Sequence, residues 1–357
     1  YKSARDADGQ DVDSARNESV VPKGDISRQR TIIVGEETGE MHRGVVVAMR
    51  GLYADVDDGT RIIPCTIRRI IRTRLIAERG SIAVGDRVGF VIEEEAASRK
   101  ARQNVPSHAA KPRSRETVPP VPNQAPGVIE MVEPRSGQLQ RLAGRRIQTI
   151  AANVDQAIIV SSAGQPQPKP HLIDRYIISA HAGGMKPVIC MNKIDLDTDG
   201  FASELLERYE HLGYRVLRVS ATTGQGMDQL HVVLKGKSSV FAGQSGVGKS
   251  SLLNTVQPGL KLRIGDVQVQ SEKGTHTTTT AVLLRLDMGG YVVDTPGIRS
   301  FDLNIIPRDE LEAYFVEFVP QDEKSRYPSC THINEEASAN KDAVERGEIH
   351  PDRYATY

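Results

Sequence analysis

Gly243-Gln244-Ser245-Gly246-Val247-Gly248-Lys249-Ser250 reads G-x-x-x-x-G-K-S, the spacing of a loop that wraps a polyphosphate. Its glycines let backbone N–H groups close around phosphate oxygens. Lys249 would set a point charge on the β- and γ-oxygens, and Ser250 would offer its hydroxyl to Mg²⁺. Gly243, Ser245, Gly246, Val247, Gly248 and Ser251 are the other nucleotide contacts expected there. The plainer reading is a Gly-rich turn with no ligand. The strand expected before the loop and the helix after it argue against that.

A second motif, Asn192-Lys193-Ile194-Asp195, has the chemistry to choose a base. A carboxylate such as Asp195 accepts from guanine N1–H and from the exocyclic amine. Adenine lacks this donor pair, so it would leave the carboxylate unpaired. Lys193 can lie along the base and bridge to the phosphate loop, and Asn192 can tie the motif together. Ser220-Ala221, after the next expected strand, fits a backbone clamp on the guanine oxygen. The plainer reading is a strand-to-helix turn capped by Asp195. In an ordinary GTPase the phosphate loop precedes the base motif. Here it follows, so the nucleotide-binding domain reads as circularly permuted.

Downstream, Asp294-Thr295-Pro296-Gly297 ends another expected strand. Asp294 is placed to hold Mg²⁺ through water, and Gly297 has the backbone freedom for its N–H to meet the γ-phosphate. Between loop and Asp294 lies Gly274-Thr275-His276-Thr277-Thr278-Thr279-Thr280, where a first switch must fall. One threonine there should coordinate Mg²⁺ and sense the γ-phosphate. Thr278 is the candidate, with Thr277 and Thr279 as alternatives. Ile298 follows Gly297, where many GTPases carry a glutamine that orients water. Isoleucine cannot orient water. His276 is the titratable group of the threonine run and the candidate for that role beside Lys249. An exposed loop histidine without catalytic function is the alternative.

These groups need a scaffold. Strands are expected over 154–161, 186–191, 215–219, 239–242 and 290–293, with helices over 172–182, 201–212 and from 250 onward. Several of these strands end on a polar motif, as in a doubly wound sheet with its ligand at the carboxyl edge. Upstream, short β-rich runs separated by turns at Asp57-Asp58-Gly59 and Val84-Gly85-Asp86 suggest a small β-barrel over 39–95. Residues 1–38 read as a disordered arm and 96–126 as a basic, Pro-rich linker or loop. The α/β domain is expected over 127–304 and a helical C-terminal domain over 305–357. A chain of 357 residues accommodates such a division.

The net charge is zero, but residues 43–115 carry 15 Lys/Arg against 8 Asp/Glu, and residues 302–357 carry 6 against 13. A basic N-terminal module beside an acidic C-terminal one suggests that one end approaches polyanion and the other does not. Three cysteines, Cys65, Cys190 and Cys330, make a disulfide framework unlikely to be the organising feature and favour a reducing compartment. With no signal-like N-terminus and no long apolar run, the expected location is cytoplasmic, away from membrane.

The chain resembles the circularly permuted ribosome small-subunit-dependent GTPases (RsgA, also called YjeQ or EngC). The resemblance rests on Ile150-Ala151-Ala152-Asn153-Val154-Asp155-Gln156, Leu172-Ile173-Asp174-Arg175-Tyr176, Asn192 to Asp195, the phosphate loop, His276 with its threonines, and Asp294 to Ile298. It implies a multidomain α/β protein with an N-terminal β-barrel of OB-fold type, a central circularly permuted P-loop GTPase domain and a C-terminal helical domain that usually binds zinc. It also implies GTP hydrolysis, with GTP/GDP and Mg²⁺, as a late checkpoint in maturation of the small ribosomal subunit, whose rRNA would be the partner of a monomeric protein. A catalytic role for His276 agrees with the resemblance. Its zinc motif aligns with Ser325, Cys330, His332 and Ser338, so two thiolates are replaced by hydroxyls. Serine oxygen is a poor zinc ligand at neutral pH, and no stoichiometric zinc is expected. The helices would then pack on apolar residues such as Leu311, Tyr314, Phe315 and Phe318.

Two other functions fit less of this pattern. One is an RNA-binding module that holds GTP with little turnover, which intact Lys249, Ser250, Asp294 and His276 argue against. The other is a GTPase serving a membrane or signalling partner, which the OB-like module argues against, because such barrels commonly bind nucleic acid. The second switch also lies just before the C-terminal domain in the chain. GTP is therefore expected to fix the orientation of that domain.

Overall fold

The computed structural model describes residues 32–33, 40–69, 71, 81–92, 126–144, 146–260, 281–294, 303–318 and 338–357. The expected arm, linker and threonine run lie almost wholly outside these residues, as do Ser325, Cys330 and His332.

Five strands close a barrel: β2 (His42–Arg50), β3 (Tyr53–Asp57), β4 (Ile62–Ile67), β5 (Arg87–Ile92) and β6 (Gly127–Val132). A short β1 (Ile32–Ile33) pairs with β6. The pairing runs β2–β3–β4–β6–β5 and back to β2, antiparallel except for β4 with β6. That is the Greek-key circuit of an OB-fold. Its core includes Val46, Ala54, Val56, Cys65, Phe90 and Ile129.

The last strand corrects one expected boundary. Sequence pattern places residue 127 at the start of the α/β domain, yet Gly127–Val132 completes the barrel. A strand that pairs across a long intervening segment gives no local signal of its partner. Close packing holds it: a Cβ on Gly127 would lie 2.4 Å from the Cys65 sulfur.

A hairpin that sequence pattern does not reveal follows, β7 (Gln138–Ala143) with β8 (Arg146–Ala152). The α/β domain then contributes β9 (Gln156–Ser162), α1 (Pro170–Ala182), β10 (Lys186–Asn192), α2 (Phe201–His211), β11 (Arg215–Arg218), α3 (Met227–Leu234), β12 (Ser238–Ala242), α4 (Lys249–Val256), β13 (Val282–Arg285) and β14 (Tyr291–Asp294). Each α/β element foreseen from sequence is present, with ends moved by one or two residues. Every residue of β9 is buried, as expected of a strand covered on both faces. Its successive side chains serve opposite cores. Ala157 and Ile159 join Ile177 of α1 and Leu206 of α2, whereas Ile158 and Val160 join Leu230 of α3 and Leu252 of α4.

The spatial order is β13-β14-β12-β9-β10-β11. All neighbours are parallel except β13 with β14. Counted from β12, with β9 to β11 placed after β14, the order is 2-3-1-4-5-6. This is one doubly wound sheet whose chain begins at its fourth strand. The switch point lies between β12 and β9, where such sheets hold ligands beyond their carboxyl ends.

Barrel and α/β sheet are continuous, because β2 pairs antiparallel with β13 through Ala48 and Val282. A β-bulge interrupts β2 between Val46 and Ala48. Val46 points into the barrel core and Val47 into the α/β core. A second seam lies at the hairpin, where Asn153 Nδ2 donates to the Gly85 carbonyl at 2.9 Å and buried Arg135 pairs with Asp86 at 2.7 Å.

The described C-terminal residues pack on α1. Short 3₁₀ turns at Leu303–Ile305 and Arg308–Tyr314 precede α5 (Ala339–Glu345) and α6 (Pro351–Thr356). Tyr314, Phe315 and Phe318 are buried with Ile178, Ala343 and Ile349, and Leu311 packs at the margin. Arg353 of α6 is buried and donates to Asp174 of α1 at 2.7 Å and to both oxygens of Glu317 at 2.5 and 2.9 Å. Tyr209 of α2 donates to the same Asp174 oxygen at 2.7 Å. The guanidinium also lies 4.8 Å from the Phe315 ring centre.

Removing Arg353 would strand two carboxylates in low dielectric, which is costlier than the pair itself is stabilising. Burial already raises the Asp174 pKa despite Arg353, so Asp174 would take up a proton and limit the loss. Arg353→Met is expected to destabilise the protein by about 3 kcal/mol, read as a lower urea midpoint at unchanged slope. An unchanged midpoint would show that the network carries no stability.

Candidate nucleotide-binding site

The motifs meet at the carboxyl edge of the sheet because each follows a parallel strand. The phosphate loop leaves β12, and two of its glycines are dictated by geometry. Gly243 has φ 143° and a Cβ there would lie 2.1 Å from the Val160 carbonyl oxygen. Gly248 has φ 94° and a Cβ would lie 2.3 Å from Asn192 Nδ2. Larger residues at either place would force β9 or the base motif away. α4 begins at Lys249, so its free N–H groups and dipole face the loop. Lys249 Nζ donates to the carbonyls of Gly243 and Gln244 at 2.8 and 2.9 Å, which keeps the ammonium over the loop. Ser245 and Gly246 are exposed at its tip, Val247 is buried beneath it, and Ser250 and Ser251 are half-buried at the helix start.

Asn192 ends β10, fully buried, and works in both directions. Its Nδ2 donates to the Val247 carbonyl at 2.9 Å, and its Oδ1 accepts from the Ala221 N–H at 3.1 Å. One side chain thus fixes the phosphate loop against the turn after β11. Lys193 adopts φ 58°, an uncommon conformation for a non-glycine residue and one often kept at functional sites. It sends Nζ back to the Gly246 carbonyl at 2.9 Å and to the Gln165 carbonyl. Buried Ser220 closes its own turn, with Oγ accepting from Thr223 N–H at 3.1 Å.

Asp195 sits exposed in the 3₁₀ turn Ile194–Leu196 and provides no side-chain cap. The capping alternative therefore falls to another residue. Asp197 accepts from the N–H groups of Ala202 and Ser203 at 3.0 and 2.9 Å at the start of α2. Asp195 has no hydrogen-bond partner among the described residues.

Asp294 ends β14 directly opposite Val282. Burial raises its pKa, and a cation would restore the charged form. Ser250, at the start of α4, and Asp294, at the end of β14, are the two residues of the expected Mg²⁺ set that the structure describes. Thr278, Gly297 and His276 lie outside the described residues. No group of three or more His, Cys, Asp or Glu side chains arranged to hold a metal occurs among the described residues. Ser338, aligned with a zinc ligand, is fully buried and precedes α5, where its carbonyl accepts from Lys341 and Asp342 N–H groups. Cys65 and Cys190 are buried in separate cores, and burial pushes both thiols up to about 12. Among the described residues no helix is long and apolar enough to cross a membrane.

The loop after β9 was not legible as part of the site. Its Gln165 carbonyl meets Lys193, and the only available signal was its place at the carboxyl end of a buried strand.

Comparison with known proteins agrees with this arrangement. The family described as RsgA GTPase matches residues 132–304. The small ribosomal subunit biogenesis GTPase RsgA of Thermotoga maritima is 38% identical over 321 residues, covering 88% of this chain and 94% of the relative. That of Chromohalobacter salexigens is 43% identical over 234 residues, 65% of this chain and 68% of the relative. The crystal structure of YjeQ from Thermotoga maritima superposes with TM-score 0.67 at 35% identity, covering 89% of this chain and 96% of that one. YloQ, a circularly permuted GTPase, superposes with TM-score 0.63 at 27% identity, covering 90% and 94%.

Proposed function

Because the chain belongs to the RsgA GTPase family and is thereby a GTP hydrolase, we propose that it binds the small ribosomal subunit in the cytoplasm and hydrolyses GTP as a late maturation checkpoint. The observation that carries this reading is the convergence of base motif and phosphate loop through Asn192, in a chain whose strand order is permuted.

Each residue has a chemical task. Asp195 selects guanine, and Lys193 covers the base while bridging to Gly246. Lys249 and the N–H groups at the start of α4 neutralise the phosphates. Mg²⁺, when bound, shields the charge between the β- and γ-phosphates. Ser250, Asp294 and Thr278 are the residues to hold it, and the Gly297 N–H reads the γ-phosphate. His276 orients the attacking water in place of the glutamine that Ile298 replaces. The barrel, with the basic segment within residues 96–126, would meet rRNA mainly through its backbone phosphates, since the described barrel surface offers few aromatic rings for base stacking. The protein would act as a monomer, away from membranes.

Co-sedimentation with small ribosomal subunits tests the partner. Stronger retention with a GTP analogue than with GDP is expected. Equal, salt-insensitive retention in both states, or none, would oppose the reading.

Zinc does not fit the C-terminal residues. Ser338 is a buried neutral hydroxyl beside a helix start, and Ser325 is the second serine, leaving Cys330 and His332 as an incomplete set. Elemental analysis of protein purified without chelator is expected to find no stoichiometric zinc. One tightly bound zinc per chain would contradict this.

A further inference from the structure

Three residues abreast connect the barrel to the catalytic edge. Ala48 of β2 pairs with Val282 of β13, and Val282 pairs with Asp294 of β14. Val282 also follows closely on the segment that carries the threonine run, and Asp294 opens the second switch. The strand beside the barrel, β13, and its neighbour β14 are therefore the strands next to both expected switches in the chain. Three residues along, at the other end of the pair, Arg285 and Tyr291 stand opposite each other, and both reach one barrel residue. Asp57, at the end of β3, is 4% exposed. Its carboxylate accepts from the Tyr291 hydroxyl at 2.9 Å and from Arg285 Nη1 at 3.3 Å. Burial and the bond to Asp57 push Tyr291 up to about 12, so the phenol donates throughout the working pH range.

A buried carboxylate with two cross-domain donors fixes the β13–β14 pair to the barrel as a unit. The backbone pairing at Ala48 alone would allow the pair to tilt. Val47 adds a barrel side chain to the core that holds Leu283 and Val293. A load on the barrel thus reaches Asp294 through packed strands rather than through a flexible tether. By linkage, a nucleotide that orders Asp294 must act back on the barrel.

We propose that Asp57, Arg285 and Tyr291 are positioning residues that transmit partner binding on the barrel to the γ-phosphate switches, and so set the partner-stimulated rate of hydrolysis. This rests on the reading of the small subunit as partner. Arg285 and Tyr291 lie at the end of the strand pair away from Asp294, so the triad acts through β13 and β14.

The test compares wild type with Tyr291→Phe, which loses only the hydroxyl, and with Arg285→Ala on the more exposed side. In the absence of subunits, hydrogen exchange over residues 42–57 is expected to differ between GTP-analogue and GDP states in wild type. That difference should vanish in Tyr291→Phe. With small subunits, Tyr291→Phe and Arg285→Ala should retain basal kcat, GTP affinity and co-sedimentation. Their stimulated kcat should fall by about fivefold or more, the lower range of a coupling between sites, and Arg285→Lys should restore most of it. A barrel whose exchange ignores the nucleotide in wild type would overturn the proposal, as would full stimulation of both variants. If subunits fail to stimulate wild type, the partner reading falls, and the exchange comparison still decides the coupling.

Discussion

His276→Ala is expected to slow subunit-stimulated GTP hydrolysis by about 10²–10⁴-fold, the usual contribution of a positioned polar catalyst, with nucleotide affinity nearly unchanged. Ile298 occupies the position from which many GTPases orient water, and its side chain has no donor or acceptor. His276 precedes the threonines expected to sense the γ-phosphate, which places it next in the chain to groups expected at the reacting phosphoryl group. Loss of a histidine that acts only on the attacking water lowers kcat and kcat/KM together, without raising KM. Single-turnover hydrolysis with saturating subunits separates the chemical step from release. An unchanged single-turnover rate would remove His276 from the mechanism.

Asp195→Asn should weaken GTP binding by about 10²–10⁴-fold, since two hydrogen bonds to a charged acceptor are lost and one of them is set against a new donor. The same change should improve binding of xanthosine triphosphate, whose base presents an acceptor where guanine presents a donor. The supporting geometry is that Asp195 has no partner among the described residues, while Asp197 caps α2. Its carboxylate is therefore unencumbered by the fold. Titration of both nucleotides into both proteins is the measurement. Equal affinity of wild type for ATP and GTP would refute guanine selection by this residue.

Much of the site was legible because its residues lie at strand ends with a fixed local grammar. The Gly243 to Ser250 string needs a strand before it and a helix after it, and both are present. Asn192 was readable as a tie, and its bonds to Val247 and Ala221 give that tie its two ends. What escaped were pairings between distant segments. Gly127–Val132 resembles any buried strand, and nothing local says that β4 and β5 claim it. Asp57 reads as an ordinary turn residue before Asp58-Gly59. Its reach to Arg285 and Tyr291 depends on β2 lying beside β13. Asp174 belonged to a quoted motif, but its partner Arg353 is nearly at the other end of the chain.

Chain order led to the expectation that GTP fixes the orientation of the C-terminal domain, and residues 295–302, which would join the two, lie outside the described residues. The described C-terminal helices are anchored to α1 by Arg353, Asp174 and Glu317. On the other side, β13 borders the barrel and β14, which ends on Asp294, lies next to β13.

The most direct test of the central claim is GTP turnover by wild-type protein, alone and with purified small or large ribosomal subunits. Hydrolysis that rises by at least about tenfold with small subunits, well within the range over which partners in trans accelerate GTPases, and does not rise with large ones is the predicted result. GTP that is bound but not turned over in the presence of small subunits would contradict the account.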